Sequence, residues 1–269
     1  MNLKICAFDR KDANISCFKK SDIKKILGYM GKKFSEEQKK KELFDILTEN
    51  LDPSWSATNP ELYIVDTFEK NPKVDKTFSD LLKSRLAPIK PSSAPDDWPL
   101  TNFEVDILMK QFQKKYKNFF PLKTWYIEAP KMIPEYRPGS ILSLSKKFNK
   151  VGFIFNTDHV PGSGIHWIAV LLDFSDPTRK KTTFEYYDSF GRKMLKELVN
   201  YNKELSDVFK ELETKTFSKK RQGDTSAVCG IYSLYFINKR LEGKTFEELE
   251  NIVVNDGDMM NYRFFYFRK

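Results

Sequence analysis

Through the first half of the chain apolar residues recur every three or four positions, and after residue 150 they gather into short runs rich in β-branched and aromatic side chains. The helical spacing predicts helices over Ser21–Phe34 and Ser35–Leu51, the second opened by a Ser35-x-x-Gln38 capping box with Leu43, Phe44, Leu47 and Leu51 on one face. Residues Ser79–Leu86 give a third. The proline-rich stretch Leu86–Pro99 can continue neither a helix nor a central strand and reads as a linker. Beyond it Thr101-x-x-Glu104 is a second capping box, followed by Phe103, Ile107, Phe112 and Tyr116 at helical spacing up to Pro121. Val151–Asn156, His166–Phe174 and Thr182–Asp188 then predict three neighbouring strands, the middle one apolar on both faces. Helical spacing returns over Lys193–Glu213, through Leu195, Leu198, Leu205, Val208, Phe209 and Leu212. Gly230–Leu241 is apolar nearly all round, which predicts a helix buried on most sides and ended by Gly243. Thr245-x-x-Glu248 opens a last helix before the aromatic tail Phe264–Phe267. The sum is an α+β chain: a helical arm at 1–85, a linker at 86–97 and a core domain at 98–269.

Composition bounds this picture. The 269 residues are 40% hydrophobic, 31% charged and 14% aromatic, which excludes disorder and low complexity for the whole molecule. No apolar run approaches the roughly 18 residues of a membrane helix, and Met1–Phe8 is too short and too charged for a signal peptide, so a soluble, unsecreted protein is expected. Three cysteines, Cys6, Cys17 and Cys229, form an odd number without metal-like spacing. Free thiols in a reducing compartment are the expectation. The net charge of +9 lies mostly beyond residue 100, where 28 Lys+Arg face 21 Asp+Glu. Such a balance suits nucleic acid or an acidic partner, although many basic proteins bind neither.

The candidate chemistry narrows by elimination. Only His159 and His166 are present, and with neither an H-E-x-x-H nor a C-x-x-C pair the chain lacks the ligands for a zinc or iron–sulfur site, so no metal is expected. Neither a G-x-x-x-x-G-K-[ST] loop nor a G-x-G-x-x-G turn occurs, and no cofactor is expected either. Side-chain chemistry or binding remains.

Cys229 directly precedes Gly230 and the buried helix, where free amide N–H groups and the helix dipole favour a thiolate; a small buried hydrophobe is the plainer account. His166 follows the glycine-rich Gly162-Ser163-Gly164-Ile165 and opens the central strand. A thiolate nucleophile needs an imidazole to take and return its proton, and His166 is the better placed of the two; alone it also reads as a structural histidine. Asp188 ends the next strand, where its carboxylate can orient that imidazole or bond its own turn. Gln222, in Gln-x6-Cys, can donate with the Cys229 amide to an oxyanion, or lie exposed in a polar loop.

Read jointly, His166-Trp167, Asp188 at a strand end, Gln222 and Cys229-Gly230 before an apolar helix resemble the adenain and SUMO-specific protease clan of cysteine proteases, over roughly Trp98–Leu241. The polyprotein-processing proteases of African swine fever virus and related large DNA viruses are more similar still. The similar segments are Leu100–Phe103, Asn156-Thr157-Asp158, Gly162-x-Gly164-x-His166-Trp167, Phe184–Ser189, Cys229-Gly230-x-Tyr232-Ser233-Leu234 and Asp256-x-Asp258-Met259. The chain departs from that viral type in having Asp188 where the type has Asn, and in carrying Val228 before the cysteine where many members are acidic.

The resemblance implies a central mixed sheet flanked by helices and a thiol protease with a Cys229–His166–Asp188 triad and Gln222 in the oxyanion hole. It implies substrate contacts at Trp167 and Asn156. It further implies cleavage of viral capsid or core precursors after small residues, at Gly-Gly-x type sites, during particle maturation, with the enzyme in virions and host cytoplasm. Polypeptide precursors are then the partners, with non-specific DNA binding through the basic surface, including Lys219-Lys220-Arg221, and no membrane. A deubiquitinase or deSUMOylase acting on host conjugates, and a catalytically silent peptide- or DNA-binding module, remain as alternatives.

Overall fold

The computed structural model describes residues 16–51, 60–83, 85–86, 98–176, 178 and 180–267. The chain divides into two compact units, one of residues 1–90 with 265–269 and one of residues 91–264. Of the linker expected at 86–97, Leu86 is buried in the core of the helical unit, and residues 87–97, like Cys6, lie outside the described residues.

The first unit is helical: α1 (Lys20–Tyr29), α2 (Lys40–Glu49), α3 (Pro60–Lys70) and α4 (Lys76–Lys83). Ile23, Ile26 and Leu27 of α1 and Leu43, Phe44 and Leu47 of α2 make one buried cluster with Ile64, Val65 and Phe68 of α3 and Phe78 and Leu82 of α4. Arg85, just past α4, grips Asp22 of α1 with Nε and Nη2 at 2.8 and 3.2 Å. The Ser35–Gln38 box does not start a helix. Ser35 N donates to Gln38 Oε1 at 2.7 Å in an isolated turn, and α2 begins after Lys39, whose N–H donates to the Glu42 carboxylate at 3.0 Å. Residues 36–41 have nothing apolar to bury, so the start waits for Leu43. α3 was not legible as a separate helix. Cys17 is disulfide-bonded, against the expectation of free thiols: an odd cysteine count guarantees one free thiol but does not forbid a pair.

The second unit starts with α5 (Asn102–Lys115), then two short strands β1 (Phe119–Pro121) and β2 (Trp125–Tyr126), α6 (Ala129–Met132), a 3-10 turn at 134–136, and α7 (Pro138–Ser145). The Thr101 box forms as read, with Thr101 N donating to Glu104 at 2.7 Å. The buried stripe is Val105, Leu108, Met109 and Phe112, while Phe103 is 71% exposed, so the apolar face is rotated from the one the sequence suggested.

Strands β3 (Lys150–Asn156), β4 (Trp167–Asp173) and β5 (Lys181–Tyr187) match the three predicted runs to within a residue or so. They pair antiparallel, with Asn156 opposite Trp167 and Ala169 opposite Tyr187. After α8 (Lys196–Ser206) the chain adds β6 (Glu211–Thr216) parallel to β5, and β1 and β2 run parallel to β3, giving a mixed six-stranded sheet. The single helix expected over Lys193–Glu213 is therefore a helix followed by an edge strand. Leu205, Val208, Phe209 and Leu212 keep helical spacing across the break at Asp207, while the outward-facing edge strand shows no apolar alternation to betray it.

One face of the sheet buries Phe153, Phe155, Ile168, Val170, Phe184 and Tyr186 against Tyr136, Ile141, Leu198 and Tyr201. On β4 packs α9 (Cys229–Leu241), buried along almost its whole length. Its far end is fixed by Arg240, whose Nε and Nη2 meet both Glu185 oxygens at 2.7 and 2.8 Å, with Nη2 also 2.9 Å from Asp173. α10 (Phe246–Asn251) and α11 (Asp256–Tyr266) complete the chain where one last helix was expected. Among the described residues no helix is long and apolar enough to cross a membrane.

Candidate active site

Antiparallel pairing of β4 with β5 brings the start of one strand beside the end of the other. His166, one residue before β4, and Asp188, one residue after β5, are thereby neighbours: His166 Nε2 and Asp188 Oδ1 are 2.8 Å apart, and both side chains are buried. The same Asp188 oxygen accepts from the Phe190 N–H at 2.8 Å. The turn bond that would have made Asp188 merely structural thus coexists with the bond to the imidazole and holds the carboxylate in place.

With Nε2 committed to Asp188, Nδ1 is the ring nitrogen left for Cys229. Burial pulls the imidazole pKa down, but the hydrogen bond to Asp188, then the hydrogen bond to and charge of Cys229, outweigh it and push His166 up to about 9. Cys229 is a free thiol at the first position of α9, with Val228 as the N-cap, so its sulfur lies at the positive end of a thirteen-residue helix. Phe190 packs on the imidazole with ring centres 4.8 Å apart, and the Arg192 guanidinium lies 4.5 Å from the Phe190 ring centre.

Cys229, His166 and Trp167 line one cleft of about 300 Å³ with Leu100, Tyr126, Asn156 and Gly164. Trp167 donates its Nε1–H to Leu100 O at 2.8 Å, and its ring edge packs where a side chain on Gly230 would begin, 3.2 Å from that virtual Cβ. It both walls the cleft and anchors the strand of chain that faces it. Asn156 also lines the cleft, with Oδ1 accepting from Asp158 N at 2.9 Å and Ile165 N at 3.1 Å, so its carboxamide shapes the loop leading to His166. Gly164 in that loop has φ +93° and passes so close that a Cβ would be 2.6 Å from Asn156 Nδ2; only glycine fits.

Gln222 is buried, not exposed in a polar loop. Its Oε1 accepts from the Ser189 hydroxyl at 2.6 Å, which fixes the amide orientation, and Nε2 donates to Ser226 O at 2.7 Å. One Nε2 hydrogen remains for another acceptor. Ser189 O also accepts from the N–H groups of Arg221 and Gln222 at 2.8 and 3.0 Å, so the turn after Asp188 docks directly on the glutamine segment. Gly191 makes this docking possible: φ is +65° and a Cβ would meet Ser218 O at 2.7 Å. Ser189 is the functional neighbour that sequence reasoning missed; the Asp-Ser-Phe-Gly turn was its only signal. Of the basic triplet, Lys219 Nζ and Arg221 Nη2 both donate to Glu250 O at 2.8 Å, and Lys220 pairs with Asp224 at 2.6 Å.

Chemically the cleft offers a thiol at a helix N-terminus and an imidazole held by a carboxylate, while the Gln222 amide is fixed in a buried position beside the turn that follows Asp188. That is the inventory for nucleophilic acyl transfer.

Known proteins point the same way. No family model matches the chain. The SUMO-1 cysteine protease S273R of African swine fever virus, isolate Warthog/Namibia, is 25% identical over 187 residues, covering 63% of this chain and 67% of the relative. The same protein of the Kenya isolate is 22% identical over 187 residues. The crystal structure of the selenomethionine form of the ASFV pS273R protease superposes with a TM-score of 0.69 at 21% identity, over 99% of this chain and 96% of that one, and shows a common fold.

Proposed function

We propose that this cysteine protease, similar in sequence and fold to the adenain and SUMO-protease-like clan, is an endopeptidase that cleaves polypeptide precursors after small residues. The observation that carries the mechanism is the 2.8 Å His166–Asp188 contact in the cleft that Cys229 lines. With the proton shared by Cys229 and His166 already on the ring, as the raised imidazole pKa implies, the sulfur attacks the scissile carbonyl carbon. The charge that develops on the carbonyl oxygen is met by the Cys229 backbone N–H and Gln222 Nε2. The imidazolium then protonates the leaving amine as the C–N bond breaks. Water, deprotonated by the same imidazole, hydrolyses the thioester and frees the thiol. Asp188 supports the imidazolium throughout.

The preference for glycine-rich sites rests on the resemblance to the clan. Processing of virion precursors is the biological setting that the viral relatives suggest. Binding to packaged DNA through the +9 charge is no part of the catalytic argument.

The test is cleavage of a recombinant capsid or core precursor with a Gly-Gly-x site by the wild-type protein and by Cys229→Ala. Cleavage lost in the variant, with its fold intact by circular dichroism, is expected; retained cleavage refutes the mechanism, and binding without cleavage by the wild type would favour a silent module. The name of the relative also motivates deconjugation as a second reading. Ubiquitin and SUMO probes with a C-terminal electrophile decide between them: rapid labelling of Cys229 favours deconjugation, and precursor cleavage without labelling favours processing.

A further inference from the structure

The loop that carries both oxyanion donors, Gln222 to Cys229, is held at each end by α11. At its start, Gly223 N donates to Asp256 Oδ2 at 3.0 Å, and a Cβ on Gly223 would come within 2.8 Å of that oxygen. The other Asp256 oxygen is 3.0 Å from Tyr232 Oη, which is itself 2.9 Å from Arg221 O. At the far end, fully buried Arg263 reaches Ala227 O with Nη2 at 3.5 Å and Trp98 O with Nη1 at 2.6 Å, its guanidinium lying 4.3 Å over the Trp98 ring. Asp256 and Arg263 are seven residues apart, two helical turns, so they project from one face about 10 Å apart. Capping does not account for Asp256. The helix start is closed by a reciprocal Asn255–Asp258 box, with Asn255 N donating to Asp258 Oδ2 at 2.9 Å and Asp258 N to Asn255 Oδ1 at 3.2 Å.

We propose that α11 is a splint for the oxyanion loop, with Asp256 and Arg263 as positioning residues that keep the Gln222 amide and the Cys229 N–H aimed at the carbonyl oxygen. The proposal rests on the protease reading above. A preorganised donor gains its value from not having to reorient as charge develops, so loosening the splint costs turnover rather than ground-state binding. Asp256 touches α9 only through Tyr232, one turn past Cys229, and bonds to neither the thiol nor the imidazole, so that pair should survive loss of the splint.

The experiment compares Asp256→Ala, Asp256→Asn and Arg263→Lys with Gln222→Ala as reference, on a peptide ending in Gly-Gly-aminocoumarin. Asp256→Asn keeps the size but can turn an N–H toward the Gly223 N–H, so it serves if the alanine variant folds poorly. The expected result is a kcat lower by about 10- to 100-fold with KM within about 3-fold, since loss of a whole oxyanion donor costs about 100- to 1000-fold. Inhibition by a Gly-Gly aldehyde, which forms a tetrahedral adduct on the thiol, weakens in parallel. Alkylation of Cys229 by iodoacetamide, which needs no oxyanion hole, stays unchanged. Asp256→Ala added to Gln222→Ala costs less than the two separately. An unchanged kcat in the Asp256 variants while Gln222→Ala is impaired overturns the splint and leaves the protease reading standing. An unchanged kcat in Gln222→Ala overturns the oxyanion assignment itself, and a parallel fall in alkylation makes α11 a general support rather than a splint.

Discussion

At the scale of single residues the site turns on one imidazole. His166 stays protonated up to about pH 9 because Asp188 and Cys229 both favour its charged form more than burial disfavours it. Since the imidazolium must protonate the leaving amine, kcat/KM should fall along an alkaline limb near that pH. In Asp188→Asn the hydrogen bond to a carboxylate and its charge are both gone, so the limb should move down by about one unit; a limb that does not move would separate Asp188 from the imidazole. The raised pKa also links to stability. The folded value lies above the ordinary 6.5, so the charged ring stabilises the fold fully below 6.5 and loses that contribution as pH rises through about 9. Thermal midpoints of wild type and His166→Gln should therefore converge between pH 6.5 and 10. His166, Asp188 and Cys229 were legible because each stands at the end of an element whose pattern is clear. The Ser189 clamp on Gln222 was not, because no periodicity announces a turn hydroxyl meeting an amide thirty-three residues away.

At the scale of elements, the turn after β5 and the end of α9 set the frame. Gly191→Ala places a Cβ 2.7 Å from Ser218 O at a left-handed φ of +65°, so it should cost at least about 1–2 kcal/mol in denaturant unfolding and lower kcat by disturbing Ser189 and Gln222 together. Arg240→Met leaves Glu185, 1% exposed, without a counter-charge in the core and with only the Thr183 hydroxyl at 3.2 Å, and a loss of about 3–5 kcal/mol is expected from urea midpoints. A near-neutral result would show that Glu185 is neutral or finds another partner. The three central strands and α9 could be read from sequence because burial dictates their composition. β1 and β2, at three and two residues, are too short to carry a period, and β6 was absorbed into a helix for the reason given above.

At the scale of the whole molecule, charge and chemistry are separated. The chain carries +9, yet the cleft walls, from Leu100 through Tyr126 to Trp167, hold no Lys, Arg, Asp or Glu. Cleavage of a neutral peptide should therefore change less than about 2-fold between 50 and 200 mM salt, whereas any association with DNA through the basic surface should weaken steeply over the same range. A strong salt dependence of peptide cleavage would mean that charge outside the cleft steers the substrate. The α+β class followed from the change in hydrophobic period near residue 150. The junction between the two ends of the cleft wall, Leu100 and Trp167, did not, since it rests on an indole-to-carbonyl bond across sixty-seven residues.

The central claim is that His166 makes Cys229 a nucleophile. It is tested most directly by incubating wild type and His166→Ala with a Gly-Gly vinyl methyl ester and locating the adduct by peptide mass spectrometry. The account predicts one adduct on Cys229 in the wild type and its loss, or slowing by at least about 100-fold, in the variant. Equal labelling of both proteins, or labelling of the wild type at a residue other than Cys229, would contradict it.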